Sequence, residues 1–365
     1  MKLLDQTQRR DWIRLSQSEN VGPATFRQLL GRYGSAAAAL EALPELSLKG
    51  GLARPIRVFS REDAEAVMER AEDLGASFVV AGEAGYPPLL HHIPAAPPLL
   101  CVKGELALAE LPCVAIVGAR NASAGGRRLA RQLSAELSAE GFLVVSGLAR
   151  GIDTAAHEAA PQGRTAAVIA GGIDNIYPPE NAELQKSIGD NGLLLTEMLP
   201  GAVPRAEHFP RRNRIISGMS RAIIVVEAAL RSGSLITARL AGEQGRDVYA
   251  VPGSPLDPRA EGTNKLIKEG ATLLTGSAEV IESLRTEYAV APRLFSEPEV
   301  PIDEPAEASS SDRKRVLSLL SPTPIDVDDI IRESGLPAAL VLGILLEFEL
   351  AGRVSRSAQQ KVSLS

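Results

Sequence analysis

The sequence predicts an α/β protein built on an extended Rossmann-like, doubly wound and mostly parallel sheet. Between residues 110 and 285, short apolar runs alternate with amphipathic stretches of helical period. Strands of a parallel sheet are covered by helices on both faces, so their sequences are continuously apolar. The regions before and after this part differ in composition, and we expect a helical module first and a winged-helix module last.

The candidate strands and helices of the central part follow one another along the chain. The strands are residues 114–117, 143–145, 166–169, 193–196, 222–226, 248–251 and 272–274. The helices between them are residues 126–139, 154–160, 180–188 and 235–244. We expect the carboxyl ends of the strands to share one edge of the sheet, where helix N-termini expose free amides and ligands bind.

Residues 1–80 are expected to form a helical module of the SAM-like or helix-hairpin-helix-like type. One helix opens near Asp11, and Val21-Gly22-Pro23 predicts a turn into a second helix over 26–33, because proline is favoured in a first helical turn. The amides of such a turn can hold a DNA phosphate. An ordinary capped helix pair without DNA contact is the favoured interpretation.

The rest of the chain divides by composition into three further parts. These are the Rossmann-like domain, a flexible linker rich in proline, serine and acidic residues, and a winged-helix-like module, at residues 81–288, 289–312 and 313–365. The basic residues of the last module are offset by acids that include Asp326, Asp328 and Asp329. Its charge therefore favours protein contact or autonomous packing over duplex binding.

Composition restricts the compartment and the class of partner. The chain has a formal net charge of −6 and only two cysteines, Cys101 and Cys113, without metal-ligand spacing. The N-terminal segment has no long apolar core of a signal peptide, and no apolar run approaches the roughly 20 residues that span a bilayer. We expect a soluble cytoplasmic protein with no membrane partner and reduced thiols.

The loop after the first candidate strand argues against a dinucleotide cofactor. It reads Gly118-Ala119-Arg120, which is not the GxGxxG pattern, and no acidic residue ends the next strand to hold a ribose. An anion paired with Arg120 is favoured, since a guanidinium grips phosphate through two parallel hydrogen bonds. We therefore predict no cofactor.

The loop after the second strand supplies the next group of candidate DNA-binding residues: Ser146, Gly147, Arg150 and Gly151. Asp153 is interpreted as the cap of the following helix, and His157 as a packed core histidine. No cysteine, second histidine or group of carboxylates accompanies His157, so we predict no metal site.

The strongest signal is a basic segment between residues 205 and 221. Five arginines face one acid, Glu207, and one of the few aromatic residues, Phe209, lies among them. Arginines neutralise phosphates, while an aromatic ring stacks on any base. The candidate DNA-binding residues here are Arg205, Phe209, Arg211, Arg212, Asn213 and Arg214. The alternative is a solvated basic loop with Phe209 folded inward.

Two later loops are expected at the same edge of the sheet. Their candidate DNA-binding residues are Ser232, Gly233, Ser234, Asn264 and Lys265. Glu227 ends its strand, but no second acid or nucleophile accompanies it. We assign Glu227 a structural hydrogen-bonding role and predict no catalytic residue.

Six blocks in one order resemble the DprA/Smf family. They are residues 114–120, 146–153, 171–181, 209–217, 232–238 and 245–253. The resemblance implies an extended Rossmann domain that binds single-stranded DNA in a basic pocket, homodimerises and loads the RecA recombinase in natural transformation. It places the family's pocket arginine on Arg120 and its stacking phenylalanine on Phe209.

The chain departs from the family pattern at two places near this pocket. Ala119 stands where a serine is usual, and Ala206, Glu207 and His208 stand where a lysine is common. The nearest basic residue is Arg205, which could replace that lysine.

Taken together, the residues and the resemblance predict a single-stranded DNA-binding recombination mediator and not an enzyme. A nucleotide-binding or phosphoribohydrolase-like enzyme is the alternative. Such enzymes share a Pro-Gly-Gly-x-Gly-Thr-x-x-Glu loop, whereas this chain has Pro252-Gly-Ser-Pro-Leu256, which lacks the glycine run and the glutamate. A third interpretation is an interaction scaffold that binds a small nucleotide.

Overall fold

The computed structural model describes residues 3–161, 163–290, 308–356 and 361–365, without the side chains of residues 287–290. The chain forms two compact units. The α/β unit lies within Val67–Leu294, and the second unit combines Leu4–Ala66 with the described part of Phe295–Ser365. The α/β unit is thus inserted in the sequence between the two halves of the other.

The helices follow one another from the N-terminus to the C-terminus. They are α1 Gln6–Gln17, α2 Pro23–Tyr33, α3 Ala36–Lys49, α4 Arg61–Asp73, α5 Pro88–His91, α6 Ala124–Ala139, α7 Ile152–Ala159, α8 Ala182–Asn191, α9 His208–Met219, α10 Gly233–Glu243, α11 Glu261–Lys268, α12 Ser277–Val290, α13 Ser310–Ser318, α14 Val327–Ser334 and α15 Ala338–Leu350. No helix of the described ranges is both long and apolar enough to cross a membrane.

The α/β unit contains a nine-stranded sheet. Its strands are β1 Ala76–Val80, β2 Leu99–Gly104, β3 Cys113–Val117, β4 Leu143–Ser146, β5 Thr165–Val168, β6 Leu193–Thr196, β7 Ala222–Val225, β8 Asp247–Ala250 and β9 Thr272–Leu273. The order across the sheet is β1-β2-β6-β5-β4-β3-β7-β8-β9. Strands β3 to β9 run parallel, whereas β2 is antiparallel to both β6 and β1. The predicted doubly wound, mostly parallel sheet is confirmed.

Side chains of the strands alternate between two apolar cores, one on each face of the sheet. In β3, Val114 and Ile116 point into one core, and Ala115 and Val117 into the other. All four are buried, which explains why the sequence of β3 is apolar throughout. Cys101 and Cys113 are free and buried as expected, and burial raises the pKa of each thiol to about 12.

The strand order reverses direction at β3. Strands β4, β5 and β6 follow on one side of β3, while β7, β8 and β9 follow on the other. The loops that leave β3 and β7 therefore diverge and open a crevice at the carboxyl edge of the sheet. Ligands of doubly wound folds bind at such a reversal.

The basic segment forms helix α9, where the sequence pattern predicted no helix. Pro210 is the third residue of α9. Proline is tolerated in a first helical turn, because the N–H that it lacks has no partner within the helix. As a result, the arginines of this segment project at helical spacing and not as a loop.

The described C-terminal residues form the predicted winged helix. Helices α13, α14 and α15 enclose a core with a small sheet of β10 Ile325–Asp326, β11 Val354–Arg356 and β12 Lys361–Leu364, in the order β10-β12-β11. Helix α13 begins at Ser310, earlier than the expected start of the module at 313, because Ser309 and Asp312 form a capping box. Most of the predicted linker, residues 291–307, lies outside the described residues.

In the N-terminal part, the turn before α2 has the predicted design. Gly22 is the N-cap of α2 and Pro23 is its first residue. Proline at this position has a preset φ, so it favours the helical start.

Candidate nucleic-acid interface

Arg120, Phe209 and Tyr177 meet at the carboxyl edge of the sheet. Arg120 lies in the loop after β3, and its guanidinium carbon is 5.5 Å from the centroid of the Phe209 ring. Tyr177 lies in the connection between β5 and α8. Its ring centroid is 5.4 Å from that of Phe209, and the two ring planes make an angle of 58°. Phe209 is partly exposed and Tyr177 is 42% exposed. The alternative in which Phe209 is folded into the core is therefore wrong.

Two cavities adjoin the Phe209 ring. The β5-side cavity, of about 490 Å³, is lined by Arg120, Asn121, Gly147, Leu148, Ala149, Arg150, Ile169, Ala170, Gly171, Asn175, Tyr177, Pro178, Pro204, Phe209 and Arg212. The β7-side cavity, of about 590 Å³, lies at the reversal of strand order and is lined by residues that include Gly118, Asn213, Ser232, Gly233, Ser234 and Arg259. Arg120, Asn121, Ala149, Phe209 and Arg212 line both cavities.

Arg212 is a buried cation between these cavities. Arg212 is 6% exposed, and its Nε makes no hydrogen bond with any described residue. The guanidinium fills the space beside the Cα of Gly147, where the Cβ of any other residue would overlap Nη1. Burial lowers the pKa of Arg212 to about 10, while the nearby Asp153 carboxylate opposes that shift. The group therefore remains charged at neutral pH.

Asp153 faces the same loop from helix α7. The N-cap of α7 is Gly151, without a side-chain cap, so the interpretation of Asp153 as that cap is wrong. Its carboxylate instead accepts hydrogen bonds from the amides of Gly147 (3.2 Å) and Ala149 (3.3 Å). Burial raises the pKa of Asp153, and the charge of Arg212 counteracts this effect. Asp153 thus fixes the loop beside which Arg212 lies.

The loops after β3 and β4 touch each other at Gly151. Its φ is +81°, a conformation that favours glycine, and a Cβ there would overlap the carbonyl oxygen of Ala119. Gly118 is also tightly packed, since its Cβ would lie 2.6 Å from Ile152 Cγ1. These glycines allow the two loops that carry Arg120 and Arg150 to approach one another.

Helix α9 separates the arginines that the sequence grouped together. Successive residues turn by about 100°, so Arg212 and Arg214 point to opposite sides of the helix. The Arg214 side chain is 12% exposed, pairs with Glu197 and donates to the carbonyl oxygen of Ala95 at 2.6 Å. Arg211 is 56% exposed, with its Nε 3.8 Å from Glu197. The prediction that Arg214 lies free at a DNA surface is wrong.

Ser146 is likewise committed to the fold. Its hydroxyl is buried and donates to the carbonyl oxygen of Ile116 at 2.6 Å. The hydroxyl thus ties β4 to β3, and it does not face either cavity, which corrects the expectation of a free group there.

Some of the remaining candidate residues line one of the two cavities, and others do not. Arg150 lines the β5-side cavity near Glu180 (Nε to Oε1 3.5 Å). Asn213 and Ser232–Ser234 line the β7-side cavity, where Asn213 Nδ2 donates to the carbonyl oxygen of Gly233 at 3.3 Å and Ser232 caps α10. Arg205 is exposed but lines neither cavity.

Asn264 and Lys265 are not brought to this site. The side chain of Asn264 exchanges hydrogen bonds with the backbone of Gly253, and Lys265 Nζ lies 3.6 Å from Glu269 Oε1. Lys265 lines a separate groove between α10 and α11. Helix α11 follows β8, two strands from β3 in the sheet. The two residues thus lie after a parallel strand at the same edge of the sheet, but neither lines the cavities around Arg120 and Phe209.

Glu227 and His157 have the structural roles expected of them. The Glu227 carboxylate accepts from the amide and the hydroxyl of Ser123, at 2.9 and 2.5 Å. His157 is buried with its Nδ1 2.7 Å from Thr165 Oγ1. Burial, together with the charge of Arg212, lowers the pKa of His157 to about 3. No group of three potential metal ligands occurs within the described ranges.

Sequence reasoning did not select Tyr177 or Asn175, which line the β5-side cavity. Both lie within the block 171–181 that carries the family resemblance, but nothing in a single sequence tells an exposed loop tyrosine from a buried one. Their position beside Phe209 comes from the long connection between β5 and α8.

Three family models match successive parts of the chain. They are described as DprA-like N-terminal HHH domain, DNA recombination-mediator protein A and DprA winged helix domain, and they match residues 6–69, 77–285 and 300–360. The second alone covers more than half of the sequence.

Individual relatives are similar over most of the chain. Protein Smf of Synechocystis is 32% identical over 94% of this chain and 96% of its own length, and DNA processing protein DprA of Streptococcus pneumoniae is 50% identical over 54% and 70%. The solved structure of the S. pneumoniae protein has a TM-score of 0.63 and 37% identity, covering 77% of this chain and 98% of its own.

A second solved structure, of DNA processing protein A from Helicobacter pylori, describes that protein's single-stranded DNA binding mode. It has a TM-score of 0.54 and 29% identity, covering 58% of this chain and 96% of its own. Three successive family models, a relative matched over 96% of its length and two similar folds agree with the residue blocks and the sheet order. This chain belongs to the DprA/Smf family.

Proposed function

We propose that this chain binds single-stranded DNA at the two cavities around Arg120, Phe209 and Arg212. The observation that carries the proposal is the Arg212 guanidinium, which is charged, buried and without a partner for its Nε. A buried charge is costly unless it is paired. A phosphate in either cavity would add a second negative charge to that of Asp153 and would supply acceptor oxygens, and Arg120 lies beside the same space.

The rings beside the cavities favour unpaired bases. Neither Phe209 nor Tyr177 is buried, and their rings form a tilted pair that lines the β5-side cavity. A base can stack on such rings only when it is free of its duplex partner. The structure of the H. pylori relative, described for its single-stranded DNA binding mode, supports the same ligand class.

Binding without bond chemistry fits the groups at this site. Glu227 is the carboxylate that a hydrolase would need near the β7-side cavity, and it already accepts two hydrogen bonds from Ser123. Release of a free base from AMP, lost on Glu227→Gln, would favour the phosphoribohydrolase alternative instead.

Membership of the family supports a proposal for the role in the cell. We infer that the chain protects incoming single strands in the cytoplasm, passes them to RecA and forms a homodimer through the α/β unit. The family description as a recombination mediator supports this role. Sedimentation of the purified chain tests the dimer. RecA filament assembly on covered single strands, with and without the chain, tests the loading.

The binding proposal is tested by titrating one oligonucleotide as a single strand and as a duplex, at low and moderate salt. Arg120→Ala and Phe209→Ala should each weaken single-strand binding, the latter by roughly 5- to 150-fold if one base stack of about 1–3 kcal/mol is lost. Arg131→Ala is the matched control, since Arg131 on α6 pairs with Glu158 on α7 and lines neither cavity. Equal affinity for the duplex, or variants that bind like the parent, would overturn the proposal.

A further inference from the structure

Helix α15 holds the place of the recognition helix in the winged helix. It is the third helix of the module and leads directly into the strands of the wing, β11 and β12. In DNA-binding modules of this general design, the helix enters the major groove and carries side chains that reach base edges and phosphates. The sequence of α15, AALVLGILLEFEL, contains no lysine or arginine.

Helix α15 is covered on more than one side. Every residue from Ile344 to Leu350 is buried, including Glu347 and Glu349. A helix that packs on one face only would leave part of each turn exposed. One side of α15 faces the core of its own module through residues such as Ile344 and Phe348. A second surface must therefore cover the rest.

That second surface is the N-terminal helical module, which belongs to the same compact unit. Asn20 Nδ2 donates to the carbonyl oxygen of Leu350 at 2.9 Å, and Thr25 Oγ1 donates to Glu349 Oε2 at 3.3 Å. Just beyond α15, Arg353 Nη1 donates to the carbonyl oxygen of Gly50 at 3.4 Å. These contacts join α15 to the α1–α2 turn and to the end of α3.

Gly50 makes the closest approach between the two modules possible. A Cβ on Gly50 would overlap the carbonyl oxygen of Glu347 and lie 2.9 Å from the Cβ of Ala351. Its φ and ψ are −70° and −10°, which any residue can adopt. Glycine is therefore required at position 50 by the close contact with α15, and not by the conformation of the backbone.

The cations around α15 are engaged within the unit. Arg356 pairs with Glu349 at 2.6 Å, with both side chains under a tenth exposed. Arg313 pairs with Glu347 at 2.7 Å, and Lys361 lies 3.4 Å from Asp326. Arg353 contacts the Phe348 ring as well as Gly50. These four groups would have to leave a carboxylate, a carbonyl or a ring before they could meet a DNA phosphate.

We infer that the C-terminal winged helix uses α15 and the start of its wing to bind the N-terminal helices of its own chain, and not a DNA groove. The partner surface comprises Asn20, Thr25 and Gly50. The winged helix thereby engages the side chains of Asn20 and Thr25 beside the α1–α2 turn. The two modules therefore form one compact unit in which the winged helix does not offer its usual DNA-contacting helix.

The test is hydrogen exchange of the full chain with two glycine substitutions. Gly50→Leu should push α15 away, and amides of residues 18–25 and 345–353 should exchange at least tenfold faster. Gly31→Leu is the control, because a Cβ on Gly31 meets nothing within 4 Å. Exchange in β3 and β4 and single-strand affinity should stay unchanged in both variants.

Thr25→Val is a smaller substitution for the same hydrogen-exchange experiment, and it is used if Gly50→Leu fails to fold. It removes the hydroxyl bond to Glu349 with little change of shape, and a two- to fivefold rise in exchange confined to the same two segments is expected. Unaltered exchange in every Gly50 and Thr25 variant would overturn the inference. Protection of α15 in the parent on adding duplex DNA would overturn it as well.

Discussion

Arg212 combines three properties at one residue: a full charge, burial and an Nε without a partner. Asp153 lies close enough to influence its pKa, yet that carboxylate is bound to the amides of Gly147 and Ala149. The loop is thereby held in place while the guanidinium keeps donors to spare. Such an arrangement is prepared for an anion before the anion arrives, which reduces the reorganisation that binding requires.

Gly147→Ala tests this preparation without removing the arginine. The new methyl group would occupy the position of Arg212 Nη1, so the guanidinium must move. We expect single-strand affinity to fall by about tenfold, as measured by fluorescence anisotropy. Gly125→Ala is the control, because its Cβ would meet only Ser123 Oγ, at 3.6 Å. Parental affinity in Gly147→Ala would argue against a role for the position of Arg212.

His157 gives a pH signature of the buried layer beneath the site. Burial lowers its pKa to about 3 in the folded chain. As the pH falls through about 6.5, His157 is therefore protonated in the unfolded chain but stays neutral in the folded chain. This difference leaves the free energy of unfolding unchanged above pH 6.5 and lowers it as the pH falls below 6.5. From pH 7.5 to 5.0 the free energy of unfolding should drop by about 2 kcal/mol more in the parent than in His157→Gln. Urea titrations at both pH values measure this, and equal drops would contradict it.

At the scale of the element, helix α9 decides which arginines can serve a ligand. Its rotation directs Arg212 to the cavities, leaves Arg211 exposed and buries Arg214 against Glu197. The count of positive charge in the sequence therefore overstates what the surface offers. One helix supplies both a binding group and a structural ion pair.

Arg214→Met should accordingly affect stability. Removing Arg214 leaves the buried Glu197 with only the longer contact to the exposed Arg211, at 3.8 Å, and we expect a loss of about 3 kcal/mol in the free energy of unfolding. Arg211→Met is the matched change on the exposed neighbour and should alter it by less than about 0.5 kcal/mol. Denaturant unfolding of both variants is the measurement. A stable Arg214→Met with weak single-strand binding would restore Arg214 to the DNA surface.

The sequence predicted the elements best where the apolar pattern was strong. All seven parallel strands were found to within a residue or so at each end, because buried strands are continuously apolar. Strands β1 and β2 were missed, since they precede the region of alternating strands and helices. Helix α9 was missed because Pro210 and the adjoining arginines resemble a loop.

Individual site residues were predicted less well, because their roles depend on distances between distant loops. Arg120 and Phe209 were found through residue type and resemblance, and the structure brings them together. Burial of Ser146 and Arg214 depends on partners 30 and 17 positions away in the sequence. Tyr177 joins the site only because the connection after β5 folds back beside α9.

For the whole molecule, the formal charge of −6 opposes the binding of any polyanion. The cations that line the two cavities are Arg120, Arg150, Arg212, Arg231 and Arg259. Attraction must therefore be local, and it acts against a repulsive background that salt also screens.

This arrangement sets the salt dependence of binding. Five phosphate contacts predict a slope of about −3.5 in a plot of log affinity against log salt concentration, at about −0.7 per contact for single strands. Arg120→Ala should make the slope shallower by about 0.7, whereas Arg131→Ala should leave it unchanged. Anisotropy titrations over a series of salt concentrations provide both values. A slope near zero would mean that the cavities hold no phosphate.

The union of the two chain ends has a consequence for synthesis on the ribosome. Thr25 emerges early, but its partner Glu349 is translated 324 positions later. At about 5–20 residues per second, the N-terminal helices wait roughly 15–65 s for their covering surface. Throughout that interval the surface around Gly50 that α15 later covers stays exposed on the nascent chain. A ribosome-associated chaperone would have access to it there.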